Sequence, residues 1–206
     1  MVTATFPGSV LAIFAHPDDA ELWAGGTLAH HAAHAPVTVA VPSHSAERDS
    51  EAAAGTKALG ALLHQAQLLD PAEIHRLLID LCPNVVVTHP ISDVHPDHRR
   101  ISEAVLAALP DAVISTGHPQ RLYTCDTYNS LTLDGPVRAD TIVDTTATFS
   151  TKMQALRQHA SQPIETHFGP MAEHLGRLWG ARIGTTYAEA FTALPILGRL
   201  PAATQL

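Results

Sequence analysis

Residues Val10 to His34 read VLAIFAHPDDAELWAGGTLAHHAAH. A short apolar run, Val10 to Ala15, stops at a His-Pro-Asp-Asp turn and is followed by an Ala/Leu-rich stretch of helical period. That sequence of patterns is the strand, turn and helix of an α/β unit, with the strand predicted over Val10 to Ala15 and the helix over about Glu21 to His34. The turn is the unusual part. Where a fold asks only for a change of direction, this chain places His16, Pro17, Asp18 and Asp19.

The same alternation continues outward from this unit. Further strands are predicted at Val37 to Val41, Gln65 to Leu69 and Asn84 to His89, with helices at Glu47 to Leu62, Pro71 to Leu81 and Pro96 to Leu109. Pro71 suits a first helical turn, and Asp70 before it suits the N-cap. After Pro110 the pattern changes: strands at Leu122 to Tyr128 and Thr141 to Val143, a helix at Ser150 to Ala160, and a loop from Ser161 to Gly169 leading into a last helix. Strands alternating with helices imply parallel pairing through helical crossovers. The expected class is α/β, a Rossmann-like three-layer sandwich with a mostly parallel sheet. With no repeat or linker visible, residues 1–206 are expected to form a single domain.

Composition narrows the function. With 46% hydrophobic and 16% charged residues over 206 positions, the chain can bury a core. A net charge of −8 and 12 scattered Lys and Arg residues exclude a general affinity for nucleic acid or for an anionic membrane. The expected partner is a small molecule. Cys82 and Cys125 lack metal spacing and read as small residues of a reducing compartment, a disulfide being the other reading. Val10 to Ala15 is too short for a signal core or a membrane span, so the expected location is cytoplasmic. Among 14 histidines, position must decide which ones do chemistry.

In an open parallel sheet, ligands bind beyond the carboxyl ends of the strands. Two His/Asp clusters fall there: His16 to Asp19 after the first strand and His95-Pro96-Asp97-His98 shortly after the fourth. His16 and Asp19, three apart across a turn, can converge on one point as ligands of a divalent metal. Asp18 and Asp19 have a second reading as simple helix caps. His95 and His98, three apart at a helix start, share a face. Two clusters together supply a His/Asp/His set with an open position, the arrangement of a catalytic metal site.

These residues carry a resemblance. His16 to Asp19 with Glu21 and Gly25-Gly26-Thr27 is similar to the A-H-P-D-D-x-E-x-x-x-G-G-T signature of the PIG-L (LmbE-like) N-acetylglucosaminyl deacetylases, and His95 to His98 to their H-P-D-H. Arg48, Glu51, Leu59 and Gly60, then Lys152, His159, Ser161 and Gln162, then Gly184 and Tyr187 to Phe191, resemble later family motifs. The resemblance implies hydrolysis of the acetamide of an N-acetylated amino sugar or glycoside, or of a related non-sugar or longer-acyl amide. It implies His16, Asp19 and His98 as ligands of zinc or another divalent metal, and Asp18 as general base. It further implies that His95 stabilises the oxyanion and helps protonate the leaving amine, with Asp97 holding its ring. Relatives are often oligomers, which makes a homo-oligomer an expectation too.

Several positions stay open at this level. Trp23 stands where small residues are common in the family and either shapes a site wall or packs a helix. The segment from Val41 to Arg48 is short where relatives carry a longer, sugar-binding loop. Arg48 either binds a substrate hydroxyl or is solvated, and Asp93 either lines the pocket or makes a turn. His44 and His89 sit near strand ends that border the pocket. His30, His31 and His34 read as a solvent-facing stripe.

Overall fold

The computed structural model describes residues 8–200; the ends of the expected 1–206 domain lie outside the described residues. The chain runs β1 (Val10–Ile13), α1 (Asp19–Ala32), β2 (Val37–Pro42), α2 (Ala46–Ala58), β3 (Leu62–Ala66), α3 (Pro71–Leu81), β4 (Val85–Thr88) and α4 (Pro96–Thr116). It continues through β5 (Arg121–Cys125), β6 (Leu131–Thr132), β7 (Gly135–Pro136), β8 (Thr141–Asp144), α5 (Phe149–Leu156), α6 (Gly169–Ile183) and β9 (Ala188–Leu194).

Seven strands form one sheet in the order β3-β2-β1-β4-β5-β9-β8. The first five in that order pair in parallel, and β9 runs antiparallel to both of its neighbours. This is the expected mostly parallel α/β sheet. The alternation of β1 creates the three layers, because successive strand residues face opposite sides. Val10, Ala12 and Phe14 join a core with Ala20, Leu22, Trp23 and Leu28 of α1 and Ala155 and Leu156 of α5. Leu11 and Ile13 join the other core, with Ile74, Leu77 and Leu78 of α3 and Ile101, Val105 and Leu109 of α4.

Local chemistry sets the boundaries. Asp70 caps α3 by accepting the Glu73 N–H at 2.9 Å, with Pro71 in the first turn as expected. Helix α2 is shorter than predicted, ending at Ala58, because Gly60 adopts φ +77° and turns the chain out of the helix. Strand β3 therefore begins earlier than predicted, at Leu62, and His64 is one of its residues. Leu68 and Leu69, which draw the strand prediction forward, lie beyond β3, and Leu69 instead packs into the α3 core. Helix α4 runs past Pro110 to Gly117 at φ +74°. Pro110 removes one backbone bond, but Val105, Ala108, Leu109 and Ala112 keep burying the same face on both sides of it. Strand β9 and the small β6–β7 hairpin lie outside the predicted elements. Among the described residues, no helix is long and apolar enough to cross a membrane.

Candidate active site

Strands β1 and β4 are sheet neighbours, so their carboxyl ends open side by side. Thr88 Oγ1 donates to the Ile13 carbonyl at 2.9 Å and ties the two ends together. From one end comes the turn His16 to Asp19, from the other the loop that reaches His95 at the start of α4. The two clusters meet. His16 Nδ1 lies 3.3 Å from His98 Nε2 and 3.1 Å from Asp19 Oδ2, and His98 Nε2 lies 3.4 Å from Asp19 Oδ1.

Those separations test the metal reading. Bonds of about 2.0–2.2 Å to a tetrahedral ion place ligand atoms roughly 3.3–3.6 Å apart, which is close to what the three side chains show. The donor types, imidazole and carboxylate, suit zinc and similar divalent ions. Two overlapping triads, His16/His95/His98 and Asp19/His89/His98, each bring ligand atoms within 4.8 Å of one another. The residues present therefore fit a divalent cation, with His98 common to both triads.

Neither aspartate of the turn behaves as a simple cap. Asp18 occupies the N-cap position of α1 without a side-chain cap bond; its Oδ1 instead accepts from Arg48 Nη2 at 2.9 Å. Burial, then the neighbouring Asp19 charge, raise the Asp18 carboxyl above its ordinary range, and Arg48 opposes them. Asp19 is also buried, yet the surrounding imidazoles of His89, His98 and His16 outweigh that and hold it well below the usual carboxylate range. Arg48 gives Nη2 to Asp18, and its Nε has no hydrogen-bond partner among the described residues.

Asp93 is corrected as a substrate contact. It is fully buried, and its Oδ2 stands 3.1 Å from His98 Nδ1 while its Oδ1 accepts the His95 N–H at 2.7 Å. A carboxylate behind a ligating imidazole fixes the ring so that its other nitrogen faces the metal. Burial pulls His98 down, but Asp19 and then Asp93 prevail and push it up to about 9. Asp97 also differs from expectation. Its carboxylate pairs with Arg100 and stays 4.0 Å from His95 Nδ1, and it is the Asp97 backbone N–H that donates to that nitrogen, at 3.2 Å. His95 is held by the main chain of its own helix start. The proton of the neutral ring is then on Nε2, and burial, then the His98 and His16 charges, keep the ring neutral by lowering its pKa.

Further residues join the site, and of these only Tyr128 escapes the sequence reading altogether. His89 lies stacked on His98 at 3.7 Å and 9°, fully buried, with Nε2 3.2 Å from Asp19 Oδ2. Its place at the end of β4 is the signal. Tyr128 lies nearly parallel to His98 at 5.9 Å and edge-on to Trp23 at 5.1 Å; nothing in its local sequence marks it. Glu21 and His159, 3.5 Å apart and fully buried, form a second layer behind Asp18. Ser161 donates through N–H and Oγ to Glu51 at 2.7 and 2.6 Å, which brings two distant motifs together. His44 is exposed, as are His30 and His34.

Residues 11–109, which contain every one of the predicted site residues, match the family described as PIG-L, GlcNAc-PI de-N-acetylase. Residues 11–109 belong to the PIG-L family. Solved structures extend the likeness beyond this PIG-L segment. The conserved protein TT1542 from Thermus thermophilus superposes with a TM-score of 0.78 at 23% identity, covering 95% of this chain and 99% of that one. GalB, the 4-carboxy-2-hydroxymuconate hydratase of Pseudomonas putida KT2440, gives 0.78 at 21% identity, covering 97% and 99%. The N,N'-diacetylchitobiose deacetylase of Pyrococcus horikoshii gives 0.74 at 21%, covering 92% and 84%. At these identities the three show a common fold, and chemistry has to be argued from the site.

Proposed function

We infer that the protein is a metal-dependent N-deacetylase, with zinc as the metal, acting on the acetamide of an N-acetylated amino sugar or glycoside. The observation that carries this reading is the division of labour between adjacent aspartates. Asp19 joins His16 and His98 as ligands, whereas Asp18, turned to Arg48, stays free to act as a base. When bound, zinc supplies Lewis acidity, polarising the amide carbonyl and making water a stronger acid.

The chain's own groups supply the rest. Asp18 takes a proton from the attacking water as the new C–O bond forms. The Nε2–H of neutral His95 donates to the carbonyl oxygen as negative charge builds there. The proton held on Asp18 then passes to the amide nitrogen, the C–N bond breaks, and acetate and a primary amine leave. His95 keeps its proton throughout, so its part is that of an oxyanion donor more than the acid for the amine.

A second reading, hydrolysis of a non-sugar or longer-acyl amide, draws on the first layer of substrate contacts. Only Ser43, His44 and Ser45 connect β2 to α2, and Arg48, the one candidate for a sugar hydroxyl, is bonded to Asp18. The test incubates zinc-loaded protein with a panel of N-acetylated amino sugars and N-acyl amines, detecting the free acid and the primary amine. Acetate with an amino sugar supports the first reading and a longer acid or non-sugar amine the second; silence across the panel overturns both. Asp18→Asn is expected to keep the metal and lose turnover by at least about 100-fold, as removal of a general base does, while Asp19→Ala and His98→Ala lose the metal.

A further inference from the structure

Trp23 gives the site a feature of its own. It lies four residues after Asp19, on the same face of α1, and its Nε1–H donates to Asp19 Oδ1 at 3.0 Å. The indole is 3% exposed, and a buried indole N–H needs a partner. Oδ2 of the same carboxylate is held from the other side by the His16 N–H at 2.8 Å. Both oxygens of the proposed ligand therefore carry a donor that belongs to its own helix start. The indole ring is braced in turn, edge-on to Tyr128 at 5.1 Å and to His98 at 6.5 Å.

We propose that Trp23 is a positioning residue for the metal: its N–H fixes the rotation of the Asp19 carboxylate, so that one oxygen is offered to the ion and the other is kept from chelating it. A carboxylate free to swing could close on the ion with both oxygens and occupy the position that water needs; one oxygen tethered to an indole leaves that position open. The inference rests on the metal reading of His16, Asp19 and His98. It does not depend on which amide is cleaved.

The test measures zinc affinity by chelator competition, with no substrate present. Trp23→Phe keeps an aromatic ring against Tyr128 and removes the N–H together with part of the buried ring system. Outer-layer partners of metal ligands are worth roughly 10- to 100-fold in affinity, so Trp23→Phe is expected to bind zinc at least about 10-fold more weakly than the parent. Leu22→Ala, a cavity in the same helix that removes no hydrogen bond to Asp19, serves as the control for the lost volume and for simple loosening of α1. It is expected to lower the melting temperature and leave the zinc Kd within about twofold. Equal zinc affinity in Trp23→Phe and the parent, or an equal loss in Leu22→Ala, overturns the proposal.

Should Trp23→Phe not fold, the parent protein answers alone. The chain has two tryptophans, and Trp179 donates instead to Asp126. Zinc titration followed by nitrogen–proton NMR is expected to move the Trp23 indole resonance, assigned with Trp179→Phe, and to leave the Trp179 resonance in place. An unmoved Trp23 resonance at zinc saturation overturns the assignment. Tight zinc binding without amine release in the parent would count against the hydrolase reading and leave this one intact.

Discussion

Asp18 sits between opposed influences: burial and Asp19 favour its neutral form, and Arg48, 2.9 Å away, favours the carboxylate. The base must be ionised to work. Removing the cation therefore raises the pH at which the base is lost, and Arg48→Met is expected to move the acidic limb of kcat/KM toward higher pH. A limb that stays put in the zinc-loaded variant contradicts the assignment of Asp18. At this scale the sequence discloses residue types better than directions. Residue type and position bring the two His/Asp clusters forward, but it is the family resemblance that selects His16, Asp19 and His98 among them, since capping is an equally ordinary use of an aspartate there. What Arg48, Asp93 and Asp97 face is not legible, because it depends on neighbours contributed from elsewhere: Asp18 for Arg48, the His98 ring for Asp93, and Arg100 for Asp97.

Among the elements, α1 must be both close to its neighbours and fixed. A side chain on Gly26 would place its Cβ 2.7 Å from the Cβ of Thr145, and one on Gly25 would press on Lys152 at 3.1 Å. The glycines let α5 and β9 approach, and Glu189 of β9 uses that approach to accept the N–H groups of Gly26 and Thr27 at 2.9 and 2.8 Å. Its charge is met by Lys152 Nζ at 2.7 Å, both side chains being only 4% exposed. Breaking such a pair from one side costs about 3–5 kcal/mol. Glu189→Gln is expected to lower the melting temperature by roughly 10 °C, read by thermal unfolding; a change under about 2 °C would mean the clamp is not formed. Strand β9 itself is illegible because a buried Glu189 interrupts its apolar run, while α3 is legible to the residue because Asp70, Pro71 and its apolar period agree.

For the whole molecule, the order of the sheet is what makes a site out of two motifs distant in the chain. The chain builds β2 and β3 outward from one side of β1 and then returns to lay β4 on the other, which puts His16 beside His98. The alternation of strands and helices is enough to predict that architecture, since parallel strands need crossovers, but no local signal orders the strands. In the metal-free protein His98, raised from 6.5 to about 9, adds stability that is complete below pH 6.5 and lost as pH rises through about 9. The melting temperature of chelator-treated protein is expected to fall over that interval. Zinc, which binds the neutral ring, should restore it most at the alkaline end; a flat apoprotein profile would contradict this picture of His98.

The most direct measurement is a crystal structure of zinc-soaked protein with the ion located by its anomalous scattering. The account predicts one fully occupied peak about 2.0–2.2 Å from His16 Nδ1, His98 Nε2 and one Asp19 oxygen, with Asp18 outside the coordination sphere and still on Arg48. A peak bound by Asp18, or one that leaves out either His16 or His98, contradicts it.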